Sequence, residues 1–127
     1  MIVLDSWALL AFLKGEPAAA RVEAEWVAAG AAISSINLGE VLYIRMRTAG
    51  KERARADVEA IRGHLTVLDP SWETVEVAAE IKMAGGLSLA DAFCVATASL
   101  LEAPLLTGDP EIVERAGQLG CEVVDLR

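Results

Sequence analysis

Leu87-Ser88-Leu89-Ala90-Asp91-Ala92 opens a run, Phe93-Cys94-Val95-Ala96-Thr97-Ala98-Ser99-Leu100-Leu101, that carries no charge until Glu102. A helix that is apolar all round belongs inside a protein. Asp91 is therefore a carboxylate at the head of a buried-looking helix, costly unless hydrogen-bonded, paired or held by a metal. Ser88, three residues before Asp91, also fits a capping box that closes the first turn. For Asp91 alone the cap is the simpler reading. Three further acids shift the balance.

Working outward from this helix, short apolar runs alternate with helical stretches. Ile2-Val3-Leu4 reads as a buried strand ending at Asp5, followed by helices over 6–13 and 17–29, the second stopped by Gly30. Strand two covers 31–34. A helix begins near Asn37 and closes at Gly50, and a more polar one runs over 51–62. Strand three covers 65–68, and a helix from Pro70 through Met83 ends at Gly85-Gly86. Beyond the central helix come strand four over 104–107, a last helix from Pro110 to near Gly120, and strand five over 121–124. Strands separated by one or two helices predict an α/β fold, one domain over 1–127, with a central, mainly parallel sheet of about five strands flanked by helices.

Composition agrees with this reading. The chain has 127 residues, 54% hydrophobic but only 5% aromatic, so its core is built of Ala, Leu, Val and Ile. No apolar run is long enough to cross a bilayer, and Met1–Asp5 lacks the features of a signal peptide, so a cytoplasmic protein is expected. Cys94 and Cys121 read as reduced core thiols without zinc-like spacing, and His64, the only histidine, as a solvated loop residue. Histidine-based chemistry therefore has little support. The net charge of −8 opposes non-specific nucleic-acid binding, yet Arg45, Arg47, Lys51, Arg53, Arg55 and Arg62 lie close together. This stretch reads equally as a solvated helical hairpin or as a phosphate-contacting patch led by Arg45, Arg47 and Arg53.

In an open parallel sheet, ligands bind outside the carboxyl ends of the strands. Asp5 follows strand one and Asp109 follows strand four. Glu40 is expected in the first turn of the helix after strand two. Asp91 begins a helix that runs antiparallel to the strand after it, so its head lies beside that strand's carboxyl end. All four acids can reach one rim. Each has its own capping alternative: Asp5 before Ser6, Asn37 with Glu40, Ser88 with Asp91, and Asp109 before Pro110. Four at one rim exceed what capping needs. Converging carboxylates repel and hold protons unless a cation intervenes. Oxygen ligands without His or Cys favour Mg2+ or Mn2+, an ion suited to phosphodiester hydrolysis.

Met1-Ile2-Val3-Leu4-Asp5-Ser6, Asn37-Leu38-Gly39-Glu40-Val41, Gly86-Leu87-Ser88-Leu89-Ala90-Asp91-Ala92 and Leu105-Leu106-Thr107-Gly108-Asp109 together resemble a PIN-domain ribonuclease, in order, spacing and length like the VapC toxins of toxin–antitoxin pairs. The resemblance implies a three-layer sandwich and a metal-dependent endoribonuclease, usually a homodimer, held inactive by a co-encoded antitoxin of the VapB type. It assigns Asp5, Glu40, Asp91 and Asp109 to the acidic positions. Asp5 and Asp91 are then the metal ligands, with Glu40 and Asp109 acting directly or through water, and Ser6 and Thr107 support the acids. Trp7 departs from the family, which commonly has a small polar residue there; we expect it to turn into the core or an interface.

Other readings fit less well. A haloacid-dehalogenase-like phosphatase would need a second aspartate where Trp7 stands, and a response-regulator receiver would need an acidic pair near strand one and a late lysine at a strand end. The alternative of a different class is a non-catalytic PIN-like module that binds an antitoxin or nucleic acid, its acids serving as caps.

Overall fold

Ile2, Val3 and Leu4 are almost wholly shielded from solvent. A strand in the middle of a parallel sheet requires this, because helices cover both faces and no position can be polar. This strand, β1 (Ile2–Leu4), pairs with β2 (Ala31–Ser34) on one side and with β4 (Leu105–Thr107) on the other. The more exposed β3 (Thr66–Leu68) and β5 (Val123–Asp125) form the edges. The order is β3-β2-β1-β4-β5 and every pairing is parallel. The expected mainly parallel sheet is thus entirely parallel. The structure, a computed structural model, describes residues 1–127.

Side chains alternate across the sheet and divide the core in two. Ile2, Leu4, Ile33 and Leu106 meet Leu9, Val22, Val41 and Val58, which come from α1 (Ser6–Lys14), α2 (Ala19–Ala29), α3 (Ser35–Ala49) and α4 (Lys51–Arg62). Val3, Ala32 and Leu105 meet Cys94, Val95 and Ala98 of α6 (Leu89–Leu101) and Ile112 of α7 (Pro110–Glu114). Outside α6 lies α5 (Trp72–Ala84), whose Ala78 packs on Ala92, Phe93 and Ala96. With the sheet on one side and α5 on the other, α6 has no free face over most of its length, which accounts for its uniform apolarity. Fully burying each Leu, Ile or Val contributes about 1.5–3 kcal/mol. Burial, more than backbone pairing of three-residue strands, therefore holds the sheet together.

Element ends differ from expectation in ways with local causes. Ser34 both ends β2 and caps α3, its hydroxyl accepting from the Ile36 N–H, so α3 starts at Ser35 rather than near Asn37. Asn37 is therefore no cap, and Glu40 lies in the second turn. Pro17 opens a turn ahead of α2, Ser71 caps α5 so that it starts at Trp72, and β3 begins at Thr66. The last helix stops at Glu114, and a 3-10 turn over Ala116–Gln118 replaces the rest, where Gly117 disfavours an α-helix. β5 starts at Val123, so Cys121 sits half-buried in the preceding bend, whereas Cys94 is fully buried. His64 is exposed in the turn after α4; its carbonyl accepts from Trp26 Nε1 at 3.0 Å.

The basic stretch forms the α3–α4 hairpin. Arg45 Nη2 lies 2.7 Å from Asp57 Oδ2 with its side chain mostly buried, and Arg53 Nε reaches Oδ1 of the same carboxylate at 3.0 Å. The Arg45 hydrogen bond leads in holding the Asp57 carboxyl below its usual range, with Arg53 adding to it. Arg62 pairs with Glu59. The hairpin turn at Gly50 stands about 15 Å along α3 from Glu40 at 1.5 Å per residue. Of the three arginines expected to meet RNA, Arg45 links α3 to α4 through Asp57 and Arg53 pairs with the same carboxylate within α4; only Arg47 is exposed without a carboxylate partner.

Candidate active site

From β1 the chain builds the sheet outward through β2 and β3, then returns to add β4 and β5 on the other side. Loops leaving the carboxyl ends of β1 and β4 therefore diverge, and a crevice opens between them. Asp5 directly follows β1, and Asp109 stands two residues beyond β4. Asp5 is 2% exposed and has both oxygens engaged. Oδ1 accepts from the Ala8 N–H at 2.8 Å, capping α1, and Oδ2 accepts from the Thr107 hydroxyl. Thr107 Oγ1 in turn accepts from the Asp109 N–H at 2.9 Å. This relay ties the ends of β1 and β4 together. Ser6, at the start of α1, makes no side-chain hydrogen bond to these acids.

The other acids arrive from helices. Ser88 caps α6, its hydroxyl accepting from the Asp91 N–H at 3.1 Å. Asp109 caps α7 by accepting from the Glu111 N–H at 2.9 Å. The capping readings of Asp5, Asp109 and the Ser88–Asp91 pair are thus correct locally, yet they do not account for the convergence. Carboxylate oxygens of Asp91, Asp109 and Glu111 all lie within 4.8 Å of one another. Glu111 escaped the sequence reading; its signal was the run Asp109-Pro110-Glu111, where a capped first turn brings the second acid beside the first. Glu40 reaches in from α3, and its Oε1 is buried without any hydrogen-bond partner.

Electrostatics record the crowding. Burial pushes the Asp5 carboxyl up to about 7 against the pull of its Thr107 and Ala8 hydrogen bonds, and the charges of Asp109 and Asp91 add to the rise. Asp91 is raised to about 6, first by burial, then by Asp109 and more weakly by Glu40, while hydrogen bonds from Ser88 oppose the shift. Behind them the Cys94 thiol, raised well above its ordinary value by burial and next by Asp5, donates to the Asp91 carbonyl at 3.1 Å and stays protonated. A cation among these groups would relieve both the repulsion and the unpartnered Glu40 oxygen. The donors are all oxygens, which fits Mg2+ or Mn2+ better than zinc.

The profile of the PIN domain matches residues 2–118. The chain belongs to the PIN-domain family. Similar solved structures include a toxin–antitoxin complex from Klebsiella pneumoniae, 24% identical, with TM-score 0.77 over 100% of this chain and 98% of that one. Another is DNA-bound VapBC from Salmonella typhimurium, 25% identical over 100% of both chains, TM-score 0.76. A third is Mycobacterium tuberculosis VapC20, described as a sarcin–ricin-loop-cleaving toxin, 20% identical over 90% of this chain and 94% of that one, TM-score 0.74. No curated protein sequence matches the chain.

Two further residues shape the crevice of this PIN domain. Trp7 lays its ring against Gly108, where a methyl group would overlap it, and packs against the α1–α4 side of the core as expected. Asn37 is 1% exposed, and its Nδ2 donates to the Ala90 carbonyl at 3.0 Å, fastening α3 to the turn that carries Asp91. A carbonyl only accepts, so this bond dictates which way round the amide lies. Oδ1 is left as a buried acceptor without a donor. Asn37→Ala is expected to lower stability by about 1 kcal/mol and to weaken Mn2+-induced stabilisation at the same time. Urea denaturation with and without Mn2+ checks both effects.

Proposed function

We propose that the chain is a Mg2+- or Mn2+-dependent endoribonuclease that hydrolyses RNA phosphodiester bonds, acting as the toxin of a toxin–antitoxin pair. The observation that carries this reading is the gathering of Asp91, Asp109 and Glu111 within 4.8 Å of one another, near enough to Asp5 to raise its carboxyl and near enough to Glu40 for its charge to act on Asp91, with Glu40 Oε1 buried and unpartnered. Asp5 and Asp91 are the proposed ligands, Asp109 and Glu40 taking part directly or through water. Bound there, the ion would supply positive charge against a reacting phosphoryl group and acidify an attacking water. Thr107 orients Asp5 and the Asp109 backbone through one hydroxyl. Glu40 Oε1 is a ready acceptor for a proton from water in the crevice.

The neighbouring structures that are toxin–antitoxin or VapBC complexes support a VapB-type antitoxin as partner. Ile36 and Tyr43, exposed at four residues before and three after Glu40, offer apolar surface beside the acids to such a segment. A homodimer is part of the proposal; exposed Leu100 and Leu101, at the end of α6 away from Asp91, and exposed Trp72 of α5 would suit it. No helix is long and apolar enough to cross a membrane, and a cytoplasmic location is proposed.

Antitoxin-free protein incubated with a cellular RNA pool in Mg2+, in Mn2+ and in EDTA tests the activity. Cleavage should require metal, and Asp91→Asn should reduce it about 100-fold or more, the scale seen when a group stabilising the transition state is lost. Cleavage that persists in EDTA or in Asp91→Asn would refute the assignment. Absence of both cleavage and metal-induced stabilisation would favour the non-catalytic binding module, for which the caps made by Asp5 and Asp109 already provide a role.

A further inference from the structure

A cavity of about 510 Å3 lies between the Gly85-Gly86-Leu87 loop and the segment after α7. Its one cationic lining residue is Arg115. The guanidinium lies flat on Gly86, so closely that a methyl group there would overlap it. Gly86 has φ +87, a conformation that also disfavours any side chain. Arg115 Nη1 donates to the Glu111 carbonyl at 3.0 Å, which anchors the group at a second point. No carboxylate lies within ion-pair distance of it, although Glu80 lines the same cavity. The Gly86 and Leu87 N–H groups, on the loop against which Arg115 rests, have no acceptor within the chain. An arginine held in place, unpaired and short of acceptors, is suited to a phosphate.

Both walls of the cavity run out of segments that carry cluster acids. The loop continues through Leu87 and Ser88 to Asp91, and Arg115 follows Asp109 and Glu111 by a single short helix. We propose that Arg115 and this cavity form a subsite for a backbone phosphate of single-stranded RNA, flanking the phosphodiester held at the acids. The inference rests on the ribonuclease reading and adds to it the cationic contact that the acidic rim lacks. With a net charge of −8, the chain repels RNA at long range. Arg45 and Arg53, the arginines expected from sequence to compensate, are tied to Asp57. The strand would instead be gripped locally, next to the acids.

Fluorescence anisotropy of a labelled single-stranded RNA, read in EDTA across a salt series, measures the contact without metal-dependent cleavage. Arg115→Gln should weaken binding about 3- to 10-fold and reduce the slope of log K against log salt by about 0.7, the value for one phosphate contact on a single strand. Arg115→Lys should restore the slope while recovering only part of the affinity, since charge returns without the planar fork. Lys14→Gln, exposed in the last turn of α1 at the end away from Asp5, should leave affinity and slope close to wild type. A wild-type slope in Arg115→Gln, in a protein that still cleaves RNA with Mg2+, overturns the subsite alone. Loss of an acidic protein partner with RNA binding intact would assign the cavity to that partner and overturn it equally. Wild-type protein that neither binds nor cleaves RNA overturns the ribonuclease reading and this subsite with it.

Discussion

Asp5→Asn is expected to be more stable than the wild type without metal and inert toward it. In the metal-free fold Asp5 keeps its proton up to about pH 7, against 3.8 for an ordinary aspartate. Between those limits the unfolded chain has released a proton that the folded chain retains, so stability falls as pH rises. The full difference amounts to about 4 kcal/mol at 1.36 kcal/mol per pH unit. An asparagine carries no such penalty. Its amide must face either the Ala8 N–H or the Thr107 hydroxyl; the hydroxyl can rotate and accept, so part of the gain survives. At pH 7.5 in EDTA the variant should therefore melt several degrees above wild type. The advantage should shrink as pH falls and vanish below about pH 4.

Metal reverses the order. Binding an ion stabilises the state that holds it, and it must displace the protons of Asp5 and Asp91, raised to about 7 and about 6. Apparent Mn2+ affinity should accordingly climb with pH across that interval. Wild type should gain several degrees on adding Mn2+ at pH 7.5 and Asp5→Asn almost none, with RNA cleavage lost in the variant. Differential scanning fluorimetry over a pH and Mn2+ grid reads both signs. A variant that melts below wild type in EDTA would show that Asp5 is no strained acid, and one that responds equally to Mn2+ would show that it is no ligand.

Gly108→Ala should be the most disruptive single methyl addition near the site. Gly108 does not occupy the left-handed region, so backbone conformation is not the obstacle; the ring of Trp7 is. The backbone cannot easily retreat, because Thr107 is bonded to Asp5 on one side and Asp109 to Thr107 and Glu111 on the other. Overpacking ordinarily costs about 1–3 kcal/mol, and a rigid ring places this case at the upper end, about 3 kcal/mol. Because Asp109 is the next residue, the Mn2+-induced shift should fall as well. Trp7→Leu on its own removes a half-buried ring and should also destabilise. Combined with Gly108→Ala it should recover much of the loss, a coupling that a double-mutant cycle in urea measures directly. Strict additivity would mean that Trp7 is not what excludes the methyl.

Much of the architecture was legible from local order. Apolar runs at 2–4, 31–34 and 104–107 mark strands because buried parallel strands admit no polar face, and the uncharged stretch after Asp91 marks a helix enclosed on both sides. Alternation of strand and helix then placed Asp5, Asp91 and Asp109 at one rim without any knowledge of distance. Glu40 was placed there too, although α3 starts earlier than its Asn37 suggested. The misplaced start arose because Ser34 serves strand and cap at once, leaving no loop for the sequence to announce.

What the chain determines by itself is therefore what neighbours along it can settle: which segments are helix or strand, which faces are apolar, and which acids begin or follow them. The tertiary structure decided the pairings. Thr107 reaches Asp5 across 102 residues, Asn37 reaches Ala90 across 53, and Arg45 finds Asp57 on the returning helix. Glu111 joins Asp91, Trp7 covers Gly108, and Arg115 rests on Gly86. Such contacts depend on how layers pack to within an ångström or two. Periodicity sets the side on which a residue lies, but only close packing of the whole core sets the neighbour it meets.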